Sequence, residues 1–154
     1  MAHDYPEATP FAQSANAMAE VDHALAAAEA NDTRVLIVTG ADWCHDSRAL
    51  AGWLQTDRFQ TLIDDRFELV FVDVGNPRGG EGRNLDIGQR FGHEQTGTPN
   101  LLVVRPDGQL INPASAGGWN NAASRSEDAI YAELLELADR NAEIRPVEGA
   151  EIAE

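Results

Sequence analysis

Runs of apolar residues change their spacing along the chain, and the spacing predicts which element each run forms. Arg34–Gly40 and residues 68–74 are short runs rich in Val, Leu and Ile, which is typical of strands buried on both faces of a sheet. Other segments place apolar residues three or four apart, which predicts helices. These helices are predicted at residues 14–31, with Ser14 as a candidate cap, and at 46–63 with a break near Thr56, at 83–91 and at 125–141.

The last apolar strands are predicted from a turn. Residues 100–105 and 109–112 flank Pro106-Asp107-Gly108, a strong turn signal, so they are predicted to form a hairpin. The helix between the first two strands implies a right-handed parallel crossover. The pattern therefore predicts an α/β protein with a mixed sheet of about four strands and helices on both faces.

At 154 residues the chain has the length of one domain. We expect that domain to span residues 14–141, after a polar lead-in at residues 1–13 and before an acidic tail at residues 142–154. The opening residues lack the basic and apolar regions of a signal peptide, and no apolar run approaches the ~20 residues of a membrane span. We therefore expect a cytoplasmic protein.

Charge and cysteine content exclude several classes of function. A net charge of −15 argues against nucleic acid and anionic membrane surfaces as partners, since both would repel the protein. All 11 basic residues are arginine. The single cysteine excludes an internal disulfide and a zinc site with several cysteines.

That cysteine, Cys44, lies between the first predicted strand and the helix that follows it. A thiol at a helix N-terminus is stabilised as the anion, which makes a cysteine reactive. Ser47 falls on the same helix face and is placed to donate a hydrogen bond to the sulfur. A protonated His45 would favour the thiolate, whereas Asp42 and Asp46 would oppose it. The alternative is that Cys44 is a small buried apolar residue.

Two motifs together resemble the thioredoxin superfamily. Trp43-Cys44-x-x-Ser47 follows one strand, and Thr98-Pro99 precedes another. The resemblance implies a thioredoxin-like fold, with Cys44 as the nucleophile that attacks a disulfide. It also implies a cis peptide bond before Pro99, which faces the sulfur, a Thr98 backbone offered to an extended substrate, and Trp43 beside the nucleophile.

The sequence departs from that family at two positions. Ser47 replaces the resolving cysteine, and Val38 replaces the buried acid that thioredoxins often carry six residues before the nucleophile. We therefore expect a monothiol thiol-disulfide oxidoreductase that forms mixed disulfides with protein or small-molecule thiols and disulfides. The alternative is a redox-inactive module that binds extended peptides. A peroxide-reacting thiol is a weaker third hypothesis, because Asp42 and Asp46 oppose it.

The predicted site combines a catalytic pair with a substrate groove. The catalytic residues are Cys44 and Ser47, and the substrate-binding residues are Trp43, His45, Thr98 and Pro99. No metal is expected, because adjacent ligands at a helix start point in different directions. No tightly bound cofactor is expected, although glutathione is a candidate cosubstrate. The sequence does not set the oligomeric state.

The glycine-rich segment 75–83 raises a further hypothesis. It lacks the Lys and Ser/Thr of a phosphate-binding P-loop, so a mobile connection is predicted. If the segment folds toward Cys44, Arg78 and Arg83 are placed to meet a glutathione carboxylate.

Overall fold

The computed structural model describes residues 5–13 and 16–140, and these residues form an α/β domain. The helices are α1 (Ala17–Asn31), α2 (His45–Leu54), α3 (Asp57–Arg66), α4 (Leu85–Arg90) and α5 (Glu127–Asp139), with short 3₁₀ turns at Phe11–Gln13 and Ala122–Ser124. The strands are β1 (Arg34–Gly40), β2 (Phe67–Asp73), β3 (Gly75–Asn76), β4 (Glu81–Gly82) and β5 (Asn100–Val104). Among the described residues 5–13 and 16–140, no helix is long and apolar enough to cross a membrane.

The main sheet has three strands in the order β2-β1-β5. β1 runs parallel to β2, with Arg34 opposite Phe67 and Gly40 opposite Asp73. β1 runs antiparallel to β5, with Thr39 opposite Asn100. The mixed sheet and the parallel crossover are therefore as predicted, and the C-terminal end of β1 brings the cysteine loop beside the start of β5.

Alternate residues of each strand enter two separate cores, because successive side chains of a strand point to opposite faces. Leu36 and Val38 pack with α2, α3 and α5 on one face. Val35 and Ile37 pack with α1 and α4 on the other. Burial on both faces explains why β1 is an unbroken apolar run.

The N-terminal segment (residues 5–13) packs into the first of these cores, which the polar lead-in hypothesis did not anticipate. Phe11 is fully buried and meets the ring of Phe71 edge-on at 5.3 Å. Its backbone N–H donates to Asp42 Oδ1 at 2.9 Å. A Cβ at Gly52 would overlap the Pro6 carbonyl oxygen, so the chain also passes close over α2. Residues 5–13 therefore pack against the same core as the rest of the described residues.

Two connections differ from the sequence-based expectation. The glycine-rich segment forms the hairpin β3-β4, in which Gly75 pairs with Gly82, and is an ordered turn rather than an open connection. Residues 109–112 do not form a full strand, and Leu110 makes only a single bridge to Val104. Backbone hydrogen bonds from Arg105 N–H to the Gln109 oxygen at 2.9 Å and from Ile111 N–H to the Val103 oxygen at 2.7 Å still join the two segments, whereas the Val103 N–H donates to the Asn112 side chain at 2.9 Å.

Helix ends agree with the predictions to within a few residues. Asn16 caps α1 by accepting the Ala19 N–H, whereas Ser14 lies outside the described residues. The break between α2 and α3 falls at Gln55 and Thr56, as predicted. α5 starts after Ser126, which caps it. The predicted acidic tail at residues 142–154 also lies outside the described residues.

Candidate functional site

Cys44 is the N-cap residue of α2, directly before the first helical residue. Its backbone is extended, with φ −93° and ψ 123°, and its side chain makes no capping hydrogen bond. The sulfur therefore stands at the positive end of the helix dipole, where an anion is favoured. The residue is 8% exposed, and its thiol donates to the Thr98 carbonyl oxygen at 3.7 Å.

Ser47 lies one turn into α2 and closes the loop that carries the cysteine. Its hydroxyl oxygen accepts the Ala41 N–H at 3.2 Å, and the side chain is fully buried. A Cβ at Gly40 would lie 2.7 Å from this oxygen, so glycine is needed there for close packing. Both Ser47 and Cys44 belong to the described chain, and no hydrogen bond joins the hydroxyl to the sulfur. The predicted stabilisation of a thiolate by Ser47 stays a prediction.

Arg48 holds the same loop from the outside. Its guanidinium donates to the carbonyl oxygens of Asp42 at 3.2 Å and Trp43 at 2.9 Å, and it pairs with Glu7 at 2.8 Å. The sequence pattern did not indicate this residue, because its partners come from a loop and from the N-terminal segment. Arg48 and Ser47 together fix the backbone on which Cys44 is displayed.

The opposite wall of the site is the Thr98–Pro99 dipeptide, whose peptide bond is cis. Asn100 follows it and is fully buried. The Asn100 amide nitrogen donates to the carbonyl oxygens of Thr96 and Pro99, each at 3.0 Å, and its oxygen accepts the Thr96 N–H at 3.1 Å. His93 Nε2 lies 2.7 Å from that oxygen. The turn that faces the sulfur is therefore held by buried polar contacts, which sequence patterns did not indicate.

Trp43 stands at the rim of the site with 59% of its surface exposed. Its indole N–H donates to the Gly75 carbonyl oxygen at 2.9 Å, which ties it to the β3-β4 hairpin. The hairpin is anchored in turn by Asp73, whose carboxylate accepts the Gly75 N–H and pairs with Arg83 at 3.2 Å. The ring is therefore presented beside Cys44 in one fixed orientation.

The charged neighbours of Cys44 are already engaged elsewhere. His45 is largely exposed and lies 3.5 Å from Asp46 through Nε2 and Oδ2. Asp46 Oδ1 accepts the Ala123 N–H at 2.8 Å, and the Asp42 carboxylate accepts the N–H groups of Phe11 and Ala12. Within residues 5–13 and 16–140 no group of acidic, His and Cys side chains is arranged to hold a metal ion.

A cleft of about 270 Å³ opens above the thiol. Of the predicted site residues, Trp43, Cys44, His45 and Thr98 line it, whereas Ser47 and Pro99 are not among its lining residues. The lining also contains residues from the first turn of α2, from the β3-β4 hairpin and from two loops, namely Asp46, Asn76, Pro77, Arg78, Gly97 and Asn120. Asn120 and Gly97 were not anticipated. Gly97 directly precedes the Thr98-Pro99 motif, and this position is the one sequence signal that could have indicated it.

A family model described as thioredoxin-like matches residues 16–106, more than half of the chain. The chain therefore belongs to the thioredoxin-like family, and the resemblance to the thioredoxin superfamily and the predicted fold class are confirmed.

The crystal structure of a disulphide isomerase from Xylella fastidiosa Temecula1 is similar to this structure, with a TM-score of 0.76. The two sequences are 34% identical, and the match covers 86% of this chain and 98% of that one. No curated protein matches the chain significantly.

Proposed function

We propose that this protein is a monothiol thiol-disulfide oxidoreductase whose nucleophile is Cys44. Membership of the thioredoxin-like family and the similarity to a disulphide isomerase support thiol-disulfide chemistry at the level of the family. The observation that carries the proposal for this chain is the position of the thiol. Cys44 caps α2, and its sulfur lies 3.7 Å from the carbonyl oxygen that precedes the cis proline.

The first step is the formation of a mixed disulfide. The Cys44 thiol loses its proton to solvent, and the thiolate attacks one sulfur of a disulfide R–S–S–R. A new bond forms between Cys44 and that sulfur, while the second sulfur leaves as a thiolate and takes up a proton. Cys44 is thereby oxidised and the leaving group is reduced, so the electrons balance.

Release of the mixed disulfide needs a thiol from outside the protein. Because Ser47 occupies the position of a resolving cysteine, no internal sulfur can attack the bond. A low-molecular-weight thiol such as glutathione, or a second thiol on the substrate, has to displace Cys44. Net reduction takes two glutathione molecules: one attacks the Cys44 sulfur and releases the partner as a thiol, and the second frees Cys44 and leaves as glutathione disulfide. A second substrate thiol that attacks its own half of the mixed disulfide frees Cys44 directly, which gives isomerisation. The cytoplasm supplies such thiols, and we propose that compartment for the protein.

Intact-mass spectrometry tests this cycle directly. The protein is mixed with bis(2-hydroxyethyl) disulfide, a small uncharged substrate, and samples are quenched in acid. We expect a single mass addition that is absent in Cys44→Ser, persists until glutathione is added, and then disappears. Ser47→Cys, which restores an internal second thiol, should shorten the lifetime of the mixed disulfide. Absence of the adduct in folded wild-type protein would refute the proposal.

A redox-inactive peptide-binding module is the second candidate function. It is favoured by the burial of Ser47 and by Val38, which lies fully buried in the core where thioredoxins often carry an acid. Affinity capture with wild type and Cys44→Ser separates the two functions. Partners that are lost with the thiol and released by reductant indicate covalent exchange. Partners that both proteins retain indicate docking without redox chemistry.

A further inference from the structure

Arg78 differs from every other arginine that the structure describes. Residues 5–13 and 16–140 contain ten arginines, and nine of them donate a hydrogen bond to, or form an ion pair with, a carboxylate or a carbonyl oxygen. Arg78 makes no hydrogen bond or ion pair within these ranges. In a protein of net charge −15, acidic partners for a surface arginine are plentiful. An unpaired guanidinium is therefore a feature that needs an explanation.

The hairpin places Arg78 in the cleft above the thiol. The loop between β3 and β4 is closed by Asn76, whose side chain accepts the Gly79 N–H at 3.1 Å. From this loop the Arg78 guanidinium reaches Gly97, where its nitrogens would lie 3.2 and 3.3 Å from a Cβ. Asn120 Nδ2 would lie 2.8 Å from the same point; it donates one of its two N–H groups to the Thr96 carbonyl oxygen at 2.9 Å, which leaves the other for a ligand. Two nitrogen donor groups therefore converge on the glycine next to Thr98, whose carbonyl oxygen contacts the Cys44 thiol.

The donor groups and the volume of the cleft together indicate which class of ligand it can bind. A guanidinium and an amide N–H₂ are donors that suit a carboxylate. The cleft volume of about 270 Å³ lies near the lower end for small-molecule sites, so a compact ligand fits better than a wide peptide surface. The carboxylate of Asp46 also lines the cleft, but its Oδ1 accepts from Ala123 and its Oδ2 lies beside His45.

We propose that Arg78, assisted by Asn120, forms a carboxylate-binding subsite for small thiols and disulfides that react at Cys44. The proposal rests on the proposed function, because it concerns the ligand of the same thiol. When such a compound exchanges with Cys44, its carboxylate lies against the guanidinium and its sulfur against the thiol. A resting ion pair at Arg78 would compete with this contact, which accounts for the absence of one.

Reaction rates with two matched disulfides test the subsite. The probes are 3,3′-dithiodipropionate, which carries carboxylates, and bis(2-hydroxyethyl) disulfide, which is uncharged. For each protein we compare the ratio of the two rates of mixed-disulfide formation. We expect Arg78→Gln to lower the ratio of anionic to neutral rate by about fivefold. Arg105→Gln removes the same charge at a distant, exposed position and should leave the ratio near that of wild type.

Two further measurements separate a direct contact from a general effect of charge. Arg78→Lys keeps the positive charge but lacks the planar, two-pronged guanidinium. Its ratio of anionic to neutral rate should therefore lie between those of Arg78→Gln and wild type. The effect of Arg78→Gln should persist at high salt, where long-range attraction is screened. An unchanged ratio in Arg78→Gln, or an equal fall in Arg105→Gln, would overturn the subsite. The uncharged disulfide would then still report whether Cys44 exchanges at all.

A binding experiment keeps the subsite testable if Cys44 does not react. S-methylglutathione carries carboxylates but no reactive sulfur, and its dimethyl ester lacks the negative charges. We expect S-methylglutathione to shift the side-chain NMR signals of Arg78 and Asn120 in Cys44→Ser, and the ester to shift them much less. Equal shifts from both compounds, or none from either, would refute the subsite.

Discussion

Ser47 gives the sharpest test of how the cysteine loop is held. Its hydroxyl oxygen accepts the Ala41 N–H at 3.2 Å, and its side chain is fully buried. Ser47→Ala leaves that amide without its acceptor in a place that water does not reach. Such a loss costs about 1–3 kcal/mol, whereas the missing oxygen atom leaves little empty volume. We therefore expect the free energy of unfolding to fall by about 2 kcal/mol.

Urea unfolding followed by circular dichroism measures this difference, provided that the m-value is unchanged. The matched control is Ser124→Ala, since Ser124 is exposed and its hydroxyl donates to the Asn121 carbonyl oxygen at 2.9 Å. That variant should stay within about 0.5 kcal/mol of wild type. If Ser47→Ala also stayed within that range, the Ala41 amide would not depend on the serine, and the account of the loop would be wrong.

The same variant tests whether Ser47 acts on the sulfur. No hydrogen bond joins the two side chains, so alkylation of Cys44 in Ser47→Ala should accelerate with pH as it does in wild type. The rate is measured with iodoacetamide on protein that is folded at every pH used. Slower alkylation near neutral pH in Ser47→Ala would instead support the stabilisation of the thiolate that the sequence predicts for Ser47.

Other predictions concern the segments around the site. Phe11→Ala should cost about 3–5 kcal/mol in urea unfolding, because Phe11 is fully buried, and a cost near zero would exclude the N-terminal segment from the core. Asn100→Ala should cost about 3 kcal/mol, since it leaves the buried Pro99 carbonyl oxygen and His93 ring nitrogen and the part-buried Thr96 backbone without this partner, and a well-folded variant of wild-type stability would contradict this. The hydrogen bond from Arg140 lowers the pKa of Glu136, so this contact stabilises the protein above the ordinary carboxyl pKa and is lost as pH falls. Thermal unfolding of Glu136→Gln should therefore show a deficit of about 0.3–0.5 kcal/mol at neutral pH that vanishes in acid, and a constant deficit would contradict this.

The strands and the thiol position were predictable because each depends on local sequence. A strand buried on both faces is a nearly continuous apolar run, and such a run predicted a strand at Arg34–Gly40. The structure has the strand with the same bounds. The loop between this strand and the next helix then fixed the place of Cys44. Thr98 and Pro99 were located by motif resemblance, and the structure brings Thr98 to the sulfur.

The remaining features depend on contacts between distant segments. Phe11 lies in a polar, proline-containing stretch without apolar residues at helical or strand spacing, so nothing in its neighbourhood marks it as core. Whether an arginine is paired is likewise a property of the folded protein, which is why Arg78 could only be named as a candidate. The role of Asn100 could not be predicted for the same reason, since an asparagine before an apolar run gives no sign in the sequence that it is buried.

The proposed monothiol cycle and the proposed Arg78 subsite make one joint demand on the cleft. A dithiol enzyme releases its substrate with its own second thiol, whereas in the proposed cycle a second sulfur compound has to enter and attack the mixed disulfide at Cys44. If that compound carries carboxylates, a surface of net charge −15 opposes its approach. In the proposed subsite, the Arg78 guanidinium beside Gly97 offsets this repulsion close to the sulfur. The two proposals are therefore linked, because a thiol that has to come from outside the protein is the ligand that the subsite would favour.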